Sequence, residues 1–266
     1  MTKFDFKDRL VPFDFDHKNI DKFVINNEEY DGIVVNTYLS SEQINELIVR
    51  LATDIKLDKD FVTENVSIRP KTQIVDKTHK LHVNEMIFES KKQPEAFKFF
   101  FIQLGLIVPT LSDVVEYNAK AQEIYSEKGV YGWYGLKQPD HIKYTLERVK
   151  ESVNFGYDFL PTISMKAAFI WYKIAKFQSF NNGNKRTAMV TTLIFLHSNK
   201  YDFQYRKHLK KELVEKTRYL ATLDKMEDKD YKDFGNYILN NTKINYDNSE
   251  WNLLEKLRDD DLEENS

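Results

Sequence analysis

The residues whose types and spacing could do chemistry lie together at 178–186, in the run QSFNNGNKR. It is a polar, Asn/Gly-rich turn between two stretches apolar on nearly every side, 162–177 (TISMKAAFIWYKIAKF) and 187–197 (TAMVTTLIFLH). Both stretches read as buried helices, because a helix apolar all round needs neighbours on every face. A turn entering the second helix leaves its first backbone amides without intrahelical partners, and the helix dipole adds partial positive charge there. The natural guest of such a cradle is an anion, phosphate above all. Gly183 allows close backbone approach, having no Cβ. Lys185 and Arg186 oppose the dipole at a helix start, a cost that a bound anion would offset. On these features alone, an ordinary turn with a basic surface remains the competing explanation.

The elements that must position this turn are mainly helical. Thr110-Leu111-Ser112-Asp113 opens a helix carrying Val114, Val115, Tyr117 and Ile124 and is expected to stop at Lys128-Gly129, where glycine can take the left-handed cap. Residues 130–135 (VYGWYG) read as loop or flap. Further helices are expected over 139–152, 207–222 and 229–240. Upstream, 31–38 (DGIVVNTY) reads as a strand, and Ser40 with Gln43 fits a capping box ahead of a helix. Its stripe is Ile44, Leu47, Ile48, Leu51 and Ile55. Short β-like runs follow at 64–70, 72–76 and 80–88, with Pro70 expected to break them. The fold class is thus mainly α, with a small α+β region at the N-terminal side. The expected divisions are 1–108, 109–243 and an acidic, solvated tail over 244–266.

Composition narrows the function classes. The 266 residues are 41% hydrophobic and 14% aromatic, ample for a packed core. With 30% charged residues and a net charge of only −3, the chain as a whole has no pull toward a polyanion or an anionic membrane. The basic run 205–211 (YRKHLKK) admits a nucleic-acid patch, but Glu212, Glu215 and Asp224 balance it, and a solvated helix face is the expected reading. The absence of cysteine excludes thiolate metal sites and thiol nucleophiles and suits a reducing cytoplasm. No stretch reads as a signal peptide or a membrane span. His79 and His82 could share a metal ion, but no third ligand is near in sequence. His17, His141, His197 and His208 have no motif context.

Phe180-Asn181-Asn182-Gly183-Asn184-Lys185-Arg186-Thr187-Ala188 resembles the Doc branch of the Fic/Doc (Fido) family, whose signature reads H-x-F-x-[D/E]-[G/A]-N-[K/G]-R. Lys173-Ile174-Ala175 before the loop, the segment from Thr110 to Gly129, and Asn199-Lys200-Tyr201 resemble the same family. About half the chain is covered, and residues 1–100 have no counterpart. The resemblance implies a Fido-type helical domain. It implies transfer of part of a nucleotide, such as ATP with Mg²⁺, to a hydroxyl side chain of a target protein. In the family the motif histidine takes the hydroxyl proton, the acidic residue helps hold Mg²⁺, and the loop with its arginine stabilises phosphate charge, since such chemistry is mostly positioning and charge compensation.

This sequence departs from that pattern where the chemistry is made. Gln178 stands at the histidine position and cannot accept a proton. Asn182 stands at the acidic position, so it brings no charge to a metal and is a weak Mg²⁺ ligand. Ser179 replaces a proline common there. Phe180, Gly183, Asn184, Lys185 and Arg186 match. Lys185 takes the place of a small glycine in the Fic branch and crowds the nucleotide space, which argues against AMP transfer with Fic geometry. The family's inhibitory motif, [S/T]-x-x-x-E-[G/N], is absent, so an active relative would need a separate antitoxin. Three functions are open: a nucleotide- or phosphate-binding protein with weakened or lost transferase activity; a working adenylyl- or phosphotransferase in which Gln178 only orients the target hydroxyl; or a protein-interaction module on the same scaffold.

Overall fold

The computed structural model describes residues 23–25, 28–54, 66–74, 80–88, 97–124, 135–245 and 253–257. Two compact units divide the chain, one of residues 1–105 with 243–249 and one of 106–242 with 250–266.

The first unit is built from strands and one helix. Strands β1 (Phe23–Ile25) and β2 (Glu28–Tyr30) pair antiparallel. A four-stranded sheet has the order β3-β6-β5-β4, from β3 (Gly32–Asn36), β4 (Val66–Ile74), β5 (Lys80–Phe88) and β6 (Phe97–Gln103). The β3–β6 pair is parallel and the others antiparallel. Helix α1 (Ser41–Asp54) starts where the capping residues place it, the Ser40 Oγ accepting the Gln43 N–H at 2.9 Å. Its stripe packs as the spacing predicts, Leu47 and Leu51 joining Val34, Met86, Phe99 and Phe101 in one core with Ile44 and Ile48 at its margin. Ile55 lies outside the described residues. Pro70 does not interrupt the sheet: it sits within β4, opposite Asn84, because β4 is an edge strand and proline's missing donor costs least there. Strand β6 (FKFFFIQ) has no turn residues or clean alternation to announce it, and the sequence gives no expectation of it.

The second unit is helical. Helix α2 (Leu111–Ile124) is capped reciprocally, the Thr110 N–H donating to Asp113 Oδ2 at 2.7 Å and the Asp113 N–H to Thr110 Oγ1 at 3.2 Å. The expected stop at Lys128-Gly129 and most of the 130–135 loop lie outside the described residues. Helices α3 (Pro139–Lys150), α4 (Ile163–Phe177), α5 (Asn184–Ser198), α6 (Leu209–Thr222) and α7 (Asp228–Asn240) come next, with a hairpin of β7 (Val153–Asn154) and β8 (Tyr157–Asp158) between α3 and α4. Helix α4 is the central element, packed against α3, α5, α6 and α7, and twelve of its residues are buried. That surrounding explains its lack of a polar face. Its buried Lys166 is held by the Val149 carbonyl at 2.9 Å and the Ser152 hydroxyl at 2.6 Å. Strand β9 (Tyr201–Phe203) succeeds α5. The expected solvated tail is corrected over 253–257, which form a short helix with Leu253 and Leu257 buried. No helix of the described residues is long and apolar enough to cross a membrane.

Candidate functional site: a cation-lined pocket at the α4–α5 turn

Helix α4 ends at Gln178, whose backbone turns left-handed (φ 48°, ψ 50°). Glutamine has no glycine-like freedom there, so the conformation is imposed by the way residues 179–184 are held. Phe180 is the anchor of that segment: it is 1% exposed, as its place in a polar loop predicts. The Asn184 side chain clamps its backbone from both sides, Oδ1 accepting the Phe180 N–H at 2.7 Å and Nδ2 donating to the Phe180 carbonyl at 2.8 Å. Residues just before α3 complete the turn. The N–H groups of Lys137 and Gln138 donate to the Ser179 carbonyl, and the Asn181 N–H donates to the Gly135 carbonyl at 3.0 Å. From α2, Asn118 Nδ2 donates to the Asn182 carbonyl at 3.0 Å and to Thr187 Oγ1 at 2.7 Å.

Helix α5 begins at Asn184, three residues before the apolar pattern suggests, because the polar residues 184–186 belong to its first turn. Gly183 is the N-cap at φ 76° and offers no side chain, so the first amides of α5 have no side-chain cap. A Cβ at Gly183 would lie 1.8 Å from Gln122 Nε2 and 3.1 Å from Asn118 Nδ2, so any other residue here would have to displace the Gln122 side chain.

Beside this turn opens a pocket of about 480 Å³, lined by Gln178, 181–186 and Met189 together with Ala175 of α4 and Lys210, Val214, Thr217 and Arg218 of α6. The sequence-singled residues Gln178, Asn182, Gly183, Asn184, Lys185 and Arg186 therefore share one wall. The lining residues from α6 have no motif to announce them. Residues 210, 214, 217 and 218 recur at the i, i+4, i+7 and i+8 positions of one helix face, a spacing that could have marked it. Lys210 is only 8% exposed, which corrects the reading of 205–211 as a solvated face at that residue; Lys207 and Lys211 are exposed. Among the described residues that line the pocket, the titratable ones are Lys185, Arg186, Lys210 and Arg218, with no carboxylate and no histidine. Lys185 and Arg218 make no ion pair among the described residues. Backbone amides at a helix start and four cations around one cavity suit an anion with several oxygens.

A base and a metal would need different groups. His141 stacks on Phe177 at 4.5 Å, His197 Nδ1 meets Asp202 Oδ1 at 2.6 Å, and His208 is the N-cap of α6; none lines the pocket. His82 lies in β5, and His17 and His79 lie outside the described residues. Asn182 Oδ1 faces the Gly183 N–H at 2.7 Å and Arg186 Nη2 at 3.3 Å. Turning the amide over would set its NH₂ against two donors, so the oxygen is fixed toward them. An oxygen already accepting from two N–H groups, one of them on a cation, does not fit Mg²⁺, which takes carboxylate and water oxygens. No group of three or more His, Asp or Glu among the described residues could hold a metal ion.

Residues 109–196 match the Fic/DOC family, so the chain carries a Fic/Doc-family domain. No curated protein and no solved structure matches the chain.

Proposed function

We propose that the domain is a Doc-like Fido domain that binds the phosphates of a nucleotide, such as ATP, at the 178–186 turn, with its transferase activity weakened or lost. The single observation that carries this is the pocket lining: the α5 N-terminus and the side chains of Lys185, Arg186, Lys210 and Arg218, with no carboxylate among the described residues that line it. Binding and proton transfer need different residues, and the described lining supports binding: it holds cations and helix-start amides but no histidine or carboxylate. Gln178 lies in the wall where the family's histidine would stand, and a glutamine takes no proton from a hydroxyl. Met189, Ala175 and Val214 add apolar lining against which a base can pack. Its volume lies in the range of small-molecule sites. A hydroxyl-bearing target protein is the partner the resemblance implies, and a chain without cysteine suits a reducing cytoplasm.

Calorimetric titration with ATP, ADP and inorganic phosphate tests the reading. Binding of ATP or ADP is expected, and Arg186→Ala weakens it by about 1.5–3 kcal/mol, the range for a hydrogen bond to a charged group. No binding of any of the three at millimolar concentration overturns it.

A further inference from the structure

We propose that Arg218 of α6 is a further phosphate-binding residue of the pocket, taking a phosphate beyond the one held at the α5 start, so that the site favours nucleoside di- and triphosphates over monophosphates. The inference rests on the proposed phosphate binding and adds to it a residue outside the 178–186 turn. Three observations carry it. Arg218 lines the same pocket as 182–186 but comes from a different helix. Its guanidinium makes no hydrogen bond, ion pair or ring contact among the described residues, and Glu215, one turn back on α6, does not pair with it. Its backbone is nonetheless fixed. The preceding residue, Thr217, is 2% exposed; its hydroxyl oxygen accepts the Trp171 Nε1–H at 2.8 Å and its proton goes to the Leu213 carbonyl at 2.7 Å. An arginine on an anchored helix, with its head uncommitted, keeps its N–H donors for a ligand.

The lining divides the work between two helices. The uncapped amides of the α5 start, with Lys185 beside them, suit one phosphate. Thr217 has given its hydroxyl proton to Leu213 and offers a phosphate no donor. Lys210, about 12 Å before Arg218 along α6, is nearly buried, whereas Arg218 is exposed and stands at the solvent side. A planar guanidinium forks onto two oxygens of one phosphate. A monophosphate held at the α5 start leaves that fork without a ligand; a second or third phosphate in the chain brings one to it. Solvent competes at an exposed arginine, so the expected effect on affinity is about tenfold rather than larger.

The test is calorimetric titration of the full chain with ATP, ADP, AMP and inorganic tripolyphosphate, repeated on Arg218→Gln and on Lys211→Gln. Lys211 is exposed on the same helix but does not line the pocket, so its variant reads the general effect of removing one positive charge. AMP is expected to bind the unaltered chain more weakly than the other three. Arg218→Gln weakens ATP, ADP and tripolyphosphate about tenfold and leaves AMP within about twofold, while Lys211→Gln leaves all four within about twofold. Equal losses in the two variants, or equal losses of ATP and AMP in Arg218→Gln, overturn the inference. Loss of ATP without loss of tripolyphosphate also overturns it, since Arg218 would then touch the base. In each of these cases the phosphate reading stands. Binding of none of the four to the unaltered chain overturns both.

Discussion

Replacing Gly183 by alanine tests how the loop is held with a single methyl group. The residue is at φ 76°, where an L-residue costs about 1 kcal/mol or somewhat more. The new Cβ would also stand 1.8 Å from Gln122 Nε2 and 2.9 Å from Gln122 Cδ. That side chain must swing away and give up its 3.1 Å hydrogen bond to the Asn118 carbonyl, a further loss of about 1 kcal/mol. Asn118 Nδ2, at 3.1 Å from the new methyl, cannot yield as easily, because it bridges the Asn182 carbonyl and Thr187. Gly183→Ala is therefore expected to cost about 2–3 kcal/mol by urea denaturation. In a Gln122→Ala background the Gln122 clash is gone, and the cost should fall by about 1 kcal/mol, leaving the backbone share and the tight Asn118 contact. An equal cost in both backgrounds would show that Gln122 does not touch the loop; a cost near zero in the wild type would refute the packing of α2 against Gly183 altogether.

Phe180→Ala removes a fully buried ring and is expected to cost about 3–5 kcal/mol, read from the denaturation midpoint. Asn184→Ala strips the clamp from the Phe180 N–H and carbonyl and costs about 2–4 kcal/mol, whereas Gln178→Ala, whose side chain makes no hydrogen bond among the described residues, changes stability by about 0.5 kcal/mol or less. Burial pulls the Lys166 ammonium from its ordinary 10.5 down to about 8. Between these values the unfolded chain holds a proton that the folded chain has released, so this group makes stability rise with pH across that window. The rise should be seen from about pH 8 to 10 in denaturation curves and largely vanish in Lys166→Met; above about pH 10, Tyr231 and Tyr237, pushed up by burial, act in the opposite sense. Gln178→His with Asn182→Asp returns a base and a carboxylate to the pocket. Labelling of lysate proteins from radioactive ATP should then rise at least about a hundredfold, and equally strong labelling by the unaltered chain would refute lost activity.

How much of the fold is legible in the sequence depends on how local each signal is. The helices of the second unit are legible because caps and periodicity lie within a few residues: Thr110 with Asp113, Thr162 before α4, and the apolar runs of α4 and α5. Phe180 is legible as an anchor because a lone aromatic in a polar turn has few other uses. Pro70 misleads because edge position is a property of the sheet, and β4 becomes an edge only when β5 and β6 are in place. Lys210 misleads for the same kind of reason. A basic run with acids nearby looks solvated until α6 is laid against α5, and then one lysine of the run turns inward. Asn118 and Gln122 give no sign at all, since their role exists only where α2 meets the loop.

The residues that hold the loop and the residues that would react in it are different sets. Asn118, Phe180, Asn184 and Thr187 fix the path of the backbone, and their side chains are committed to doing so. Gln178 contributes nothing to that path beyond a strained backbone, and its side chain is free to be of another type. Asn182 lies between the two sets. With its oxygen turned to Gly183 and Arg186, it closes the turn on itself and takes over, with an amide, the hydrogen bonds that a carboxylate there could share with a metal. A loop built this way keeps the uncapped amides of the α5 start and its cations in place whatever stands at 178. On the proposed reading, phosphate binding and proton-transfer chemistry can therefore be lost separately, since among the described residues that line the pocket there is neither a histidine nor a carboxylate.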